Sequence, residues 1–341
     1  MTTIAVTGAA GSVGRRVVAL LSAEPDVESV KALDRLAMAG GPSVETHRID
    51  VAEADVADVL EGCRTVVHLA EDPGRRSDEL VATTTLQRVL DATERAGCRH
   101  VVLLSSALVY GAYADNPVPL TERHQRRPVP ELAYAVTKTR LEELAERWAD
   151  QTSSDLAILR PTTTLSERGV SYIAGALRSA TSLRPEQVDP PVQFLHHDDL
   201  ASAVSLVATR AMASIYNVAP DGWIGPEVFR DLLTEAELHW PEPLDPVMGR
   251  MRAALGRRRA EVGLDAHVSH PWVVANDRLR AAGWCPAFTN EEAFVAGNPA
   301  PVWRTFALRR RQELALGAVG AATVGVMGAA GLVARRLFRA R

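Results

Sequence analysis

A strand, a glycine turn and a helix follow one another at the start of the chain, and that order limits the fold more than any other feature. Residues Thr3 to Thr7 are a short apolar run, Gly8-Ala9-Ala10-Gly11-Ser12-Val13-Gly14 follows at once, and apolar positions at helical spacing run from Val13 to Leu21. Glycine allows the tight turn, lets backbone N–H groups approach a pyrophosphate and lets the helix lie close to the sheet. The helix N-terminus adds partial positive charge. The spacing is G-x-x-G-x-x-G, which an ordinary strand-to-helix turn can also carry. The expectation is that Gly8, Gly11, Ser12, Val13 and Gly14 cradle a dinucleotide.

Further apolar runs place polar groups where such a ligand would meet them. Ser29 to Leu33 ends in Asp34, about twenty residues past Gly14, where a carboxylate can take ribose hydroxyls. Its charge opposes a 2′-phosphate, which favours NAD over NADP, while Arg35 keeps NADP open. A solvated loop acid is the plainer reading of Asp34. A third run ends in Asp50-Val51, where Asp50 can take an adenine amino group. A fourth, Thr65 to Leu69, ends in His68-Leu69-Ala70, where small Ala70 leaves room for the middle of the cofactor and His68 is expected to brace the sheet.

Two of the 38 basic residues are lysines, and one of them, Lys138, stands four places after Tyr134. On a helix these two share a face. A phenol titrates near 10 unperturbed, and an adjacent ammonium favours its ionised form, so Tyr134 is a candidate general acid/base. A compact ammonium also suits a ribose contact better than a planar guanidinium. The pair is equally consistent with a helix-surface contact. A fifth run, His100 to Leu104, opens into Ser105-Ser106. A hydroxyl just past a strand's C-terminal end can hydrogen-bond a substrate oxygen, and either serine could be that group.

Together these residues resemble the extended short-chain dehydrogenase/reductase group, the NAD-dependent epimerase/dehydratase family. The likeness runs from Thr3 to about Ala296. It rests on Thr7-Gly8-x-x-Gly11-x-x-Gly14, Asp34, Asp50-Val51, His68-Leu69-Ala70, Ser105-Ser106-x-x-Val109-Tyr110-Gly111, Pro119-Leu120-Thr121-Glu122 and Tyr134-x-x-x-Lys138. Leu159-Arg160-Pro161, Phe194 to Ala201, Tyr216-Asn217-Val218 and Gly283-Trp284-x-Pro286 continue it. The resemblance implies an α/β fold: a Rossmann-type doubly wound parallel sheet with a smaller C-terminal substrate lobe. It implies Ser106, Tyr134 and Lys138 as a catalytic triad, Val51, Leu69, Ala70 and Pro161 among the cofactor contacts, and a homodimer paired through the Tyr-Lys helix.

The departures from the family pattern cluster on the substrate side. Dehydratases of the group place an Asp-Glu pair directly after the catalytic hydroxyl, and Ala107-Leu108 stands there. Epimerases often carry an asparagine soon after Arg-Pro, where this chain reads Thr162 to Arg168. No asparagine occurs from Ser77 to Gly97, and Glu71 follows Ala70 where alanine is common. The expected function is hydride transfer at a secondary alcohol or ketone of a small-molecule substrate, which a membrane-held enzyme could draw from lipophilic alcohols. A nucleotide-sugar epimerase with tightly held NAD and a non-catalytic NAD-sensing scaffold are the alternatives.

Strand-helix alternation assigns residues 1–165 to the NAD(P)-binding domain, with later contributions near 193–220, and 166–300 mainly to the substrate lobe. Cys63, Cys98 and Cys285 lie far apart without ligand spacing, which points to a reducing compartment and no metal site. His196-His197-Asp198-Asp199 places adjacent side chains in different directions, so it is not expected to hold a metal. Residues 301–341 form a basic tail around 21 uncharged residues, 314–334. As a helix these would span about 31 Å, near the thickness of a bilayer's hydrocarbon core. The tail is read as a C-terminal apolar helix anchoring a cytoplasmic catalytic body, against packing on a partner subunit or lying at the lipid interface. Basic residues without interleaved aromatics speak against nucleic acid.

Overall fold

The computed structural model describes residues 2–71, 78–167, 169–170, 177, 190–236 and 263–298. Ten strands and nine helices among them arrange around one large sheet. Its strands are β1 (Thr2–Thr7), β2 (Val27–Asp34), β3 (Val44–Arg48), β4 (Cys63–His68), β5 (His100–Leu104), β6 (Asp155–Pro161) and β10 (Ile215–Val218). All pair in parallel, in the order β10-β6-β5-β4-β1-β2-β3. Strand order therefore reverses between β1 and β4, and a crevice opens there at the strands' C-terminal ends. The central strands are apolar on both faces because helices cover both: Ile4 to Thr7 and Thr65 to Val67 are fully buried. The edge strand β3 has exposed Glu45, Thr46 and Arg48.

On one face lie α1 (Ser12–Ala23) and α5 (His197–Thr209). Val17, Val18 and Leu21 of α1 join Val204, Val207 and Ala208 of α5 and Ile4, Val6 and Val102 of the sheet in a single core. Each Val, Leu or Ile among them contributes roughly 1.5–3 kcal/mol by leaving water. The other face is covered by α3 (Glu79–Arg95) and α4 (Ala133–Thr152), whose Leu86, Leu90, Leu141 and Trp148 pack with Val101 and Leu103. The Asp78 side chain caps α3 by accepting from the Val81 N–H at 3.1 Å. Short α2 (Ala57–Leu60) contributes Ala57 and Leu60 to a further core with Leu33, Val66, Val89, Cys63 and Cys98.

A second, three-stranded sheet, ordered β8-β7-β9, holds β7 (Thr163–Ser166), β8 (Gly169–Val170) and β9 (Phe194–His196). Helices α6 (Pro226–Ala236) and α9 (Asn290–Gly297) flank it, and Phe194, Phe229 and Phe294 meet with ring centroids 5.0–5.7 Å apart. Short α7 (Leu264–Ser269) and α8 (Asp277–Ala281) complete the described chain. The stretch 221–286, which falls in the 166–300 assigned mainly to the substrate lobe, divides. Leu279 and Trp284 pack into the core of the large sheet, and the Trp284 indole donates to Ser202 Oγ at 2.9 Å. Among the described residues no helix is long and apolar enough to cross a membrane, and the candidate span 314–334 lies outside them.

Candidate active site

The glycine turn folds as it does because side chains would not fit. Gly8 has φ +72°, and a Cβ there would lie 2.7 Å from the Ala70 nitrogen. A Cβ on Gly14 would lie 2.1 Å from the Gly8 carbonyl oxygen. Gly11 is the N-cap of α1 and offers no side-chain cap, so the first turn of the helix, which lines the crevice, meets no competing acceptor from the cap. Beside them the Asp34 carboxylate is fixed by two backbone N–H groups, Ala10 at 2.9 Å and Leu36 at 2.8 Å. A bare backbone cradle next to an oriented carboxylate fits a dinucleotide's pyrophosphate and ribose.

The crevice is a cleft of 480 Å³ that runs across the ends of the strands. Gly8, Gly11, Ser12, Val13 and Gly14 line it at one wall, and Asp34, Arg35, Asp50 and Val51 at the end beyond β2 and β3. Leu69, Ala70 and Pro161 line its middle, and Ser106, Tyr134 and Lys138 line the same cleft from beyond β5 and from α4. Every residue singled out in the sequence for the cofactor or for chemistry thus faces one space. The Asp50 carboxylate accepts from the Ala52 N–H at 3.0 Å, which orients it at the cleft's end.

Ser105 and Ser106 are separated by their partners. Ser105 Oγ donates to Glu142 at 2.5 Å within a buried chain: Glu142 takes Arg160 through Nε at 2.9 Å and Nη2 at 2.5 Å, Arg160 donates to the Tyr110 hydroxyl at 2.8 Å, and Tyr110 donates to Asn217 at 2.8 Å. Burial works against the Arg160 charge, yet Glu142 holds its pKa above the ordinary guanidinium value. Burial likewise pushes the Tyr110 phenol up, against the pull of Arg160. Ser106 instead caps the short 3-10 turn Ala107–Tyr110, its Oγ accepting from the Leu108 N–H at a long 3.3 Å. Among the described residues its hydroxyl proton has no acceptor, which leaves it able to serve a ligand oxygen.

Tyr134 and Lys138 lie one turn apart on α4, with the ammonium 5.7 Å from the phenol ring centroid. Lys138 donates to the Leu104 carbonyl at 2.9 Å, which ties it to the end of β5. Its second partner is the Glu71 carboxylate, which also accepts from the Tyr134 hydroxyl at 3.4 Å. His68 accounts for itself structurally: its Nδ1 meets the Thr7 hydroxyl at 2.9 Å, and burial, with Lys138 adding to it, lowers its pKa to about 4. It is a neutral brace between β1 and β4.

Sequence reasoning missed His197. It lines the cleft and its Nδ1 meets Ser12 Oγ at 2.9 Å, locking α5 to the glycine turn, with burial lowering its pKa to about 4. Its neighbours do other work: Asp198 pairs with Arg16, and Asp199 accepts from the Ala287 and Phe288 N–H groups at 2.7 and 3.0 Å. Thr162, Thr163, Thr164 and Trp272 also line the cleft. The threonines stand where the sequence had signalled only a missing asparagine.

A family model described as NAD dependent epimerase/dehydratase family matches residues 4–219. A curated relative, N-acetyl-alpha-D-glucosaminyl-diphospho-ditrans,octacis-undecaprenol 4-epimerase of Escherichia coli O157:H7, is 30% identical over 187 residues, 51% of this chain and 53% of that protein. The match therefore spans about half the length of that relative. An uncharacterised protein of Mycobacterium tuberculosis (strain ATCC 25618 / H37Rv) is 27% identical over 325 residues, 85% of this chain and 82% of its own. Among solved structures, the Thermus thermophilus UDP-glucose 4-epimerase in complex with NAD superposes with a TM-score of 0.64 at 19% identity, covering 86% of this chain and 97% of that one.

Proposed function

Because the chain belongs to the NAD-dependent epimerase/dehydratase family of enzymes, we propose that it moves a hydride at a secondary alcohol or its ketone, with Ser106, Tyr134 and Lys138 as the reacting group of side chains. The observation that carries this reading is that these three line the same cleft as the glycine cradle and Asp34. When bound, NAD supplies the hydride acceptor. Tyr134 is placed to take the alcohol proton, Ser106 to donate to the substrate oxygen as charge develops on it, and Lys138 to stabilise the phenolate. The Asp34 carboxylate favours NAD over NADP. Dehydration is disfavoured, because Ala107 and Leu108 are fully buried and supply neither acid nor base.

The substrate class we favour is a sugar carried on a diphosphate with a lipophilic end. The Escherichia coli relative is named for such a compound, and the uncharged stretch 314–334, flanked by arginines, would hold the enzyme near a membrane. On this reading the catalytic body lies in the cytoplasm and the tail touches the bilayer. Two copies pair through α4 and its neighbour α3.

The deciding experiment incubates the purified enzyme with N-acetylglucosaminyl diphosphoundecaprenol and, separately, with UDP-glucose, and follows products by mass spectrometry and NADH by absorbance. Tyr134→Phe should abolish turnover while NAD still binds. A fully active Tyr134→Phe protein refutes the assignment of the base. Redox-neutral inversion of a sugar carbon without added NAD identifies the alternative, an epimerase that holds its cofactor. Fractionation of the full chain against one ending at Trp303 tests the tail: both in the soluble fraction removes the anchor.

A further inference from the structure

We propose that Glu71 is a third acid–base member of this site, the acceptor that takes the proton from Tyr134 and passes it to solvent. This rests on the hydride-transfer reading, and three observations support it. One carboxylate oxygen, Oε1, is shared between the Lys138 ammonium and the Tyr134 hydroxyl, so phenol, carboxylate and ammonium form a continuous chain. The Tyr134 hydroxyl is the donor in its contact with Glu71, which makes a proton path in the direction required. The Glu71 side chain is 29% exposed, whereas the Lys138 side chain is 5% and Tyr134 is 8% exposed. Of the three groups, the carboxylate is the one that reaches water.

The chemistry requires such an exit. In the oxidising direction the substrate O–H bond breaks and its proton goes to the Tyr134 oxygen, while the electron pair of the carbinol C–H bond leaves as hydride for the nicotinamide dinucleotide. Tyr134 is then a neutral phenol and must lose its proton before the next turnover. Its O–H bond breaks, an O–H bond forms on Glu71, and the carboxylic acid releases that proton to water. A net oxidation discharges one proton per turnover by this route, and a net reduction draws one in. An epimerase that hands the same proton back to its substrate has no need of the exit. Glu71 therefore suits an enzyme that releases its redox product.

The ionised carboxylate offsets part of the Lys138 charge at the phenol, and the phenolate that takes the next substrate proton forms as the Tyr134 proton passes to Glu71. The titratable groups that face Glu71 from α4 are Tyr134 and Lys138. His68 of β4, which lies near enough to feel its charge, stays neutral.

The test is a pH titration by NMR of the full-length protein labelled with 13C at the tyrosine ring carbon that bears oxygen. The Tyr134 resonance is assigned by its loss in Tyr134→Phe. In Glu71→Gln, which keeps the side chain's size, the midpoint of Tyr134 should fall by about one pKa unit or more, the shift that one charge at 3.4 Å produces even with water-like screening. Glu71→Asp should fall between the two. Equal midpoints, or a phenol protonated to the same pH in wild type and Glu71→Gln, overturn the proposal. The titration needs no substrate, so it fails independently of the functional reading, which an active Tyr134→Phe enzyme would sink whatever Glu71 does.

Discussion

Replacing Glu142 by leucine should cost this protein more than replacing its partner Arg160 by methionine, although each change breaks the same buried ion pair. Glu142 is fully buried and accepts from Arg160, from Arg126 at 3.1 Å and from Ser105. Its loss leaves the Arg160 guanidinium, 2% exposed, with the Tyr110 hydroxyl as its remaining side-chain bond among the described residues. An uncompensated buried charge of this kind costs about 3–5 kcal/mol. Loss of Arg160 leaves Glu142 still neutralised by Arg126 and hydrogen-bonded by Ser105, so about 1–3 kcal/mol is expected. The double replacement removes the stranded charge, and its cost should fall short of the sum of the two by about 2 kcal/mol or more. Against a typical total stability of 5–15 kcal/mol, Glu142→Leu should lower the thermal midpoint by on the order of 10 °C. Urea unfolding followed by tryptophan fluorescence measures all three proteins. Equal costs for the single replacements, or strict additivity in the double, would refute the reasoning.

Gly14→Ala should weaken NAD binding at least about tenfold, because its Cβ would lie 2.1 Å from the Gly8 carbonyl and spread the cradle; calorimetric titration with NAD reads this, and an unchanged affinity contradicts it. Asp34→Ala should shift the NADP-to-NAD affinity ratio toward NADP by about tenfold, or 1.4 kcal/mol, by removing the charge that repels a 2′-phosphate; a constant ratio counts against the assigned role. His68, His197 and His267 each titrate at about 4, chiefly through burial. A depressed folded-state pKa keeps its stabilisation above the ordinary histidine value and loses it on acidification. Unfolding free energy should therefore drop between pH 6.5 and 4 by up to about 3 kcal/mol per histidine. His267→Phe should flatten that slope by one proton, and an unaltered slope would show the site is not the source.

The legible parts of the fold and site were those encoded at short range. Gly8 to Gly14, Asp34 and the Tyr134-Lys138 spacing each state their geometry within a turn or a strand, and the structure brings them to one cleft. The two adjacent serines could not be told apart on their own, because what distinguishes them is Glu142, which reaches Ser105 from a helix 37 residues on. Glu71 stood out as a departure, but its partners on α4 became visible once β4 and α4 were folded together. Leu279 and Trp284 carried no local sign that they belong to the large sheet's core. Their environment is set by α5 and β10, which precede them by tens of residues.

The contact between Ser12 and His197 spans 185 residues, and that span sets a schedule for synthesis. A ribosome adding about 5–20 residues per second finishes the glycine turn roughly ten to forty seconds before it delivers α5. Through that interval Val17, Val18 and Leu21 lack the cover that Val204, Val207 and Ala208 later provide. A nascent chain of fewer than about 200 residues thus presents a half-assembled nucleotide fold with one oily flank bare, the form on which a holdase would act and from which aggregation would start.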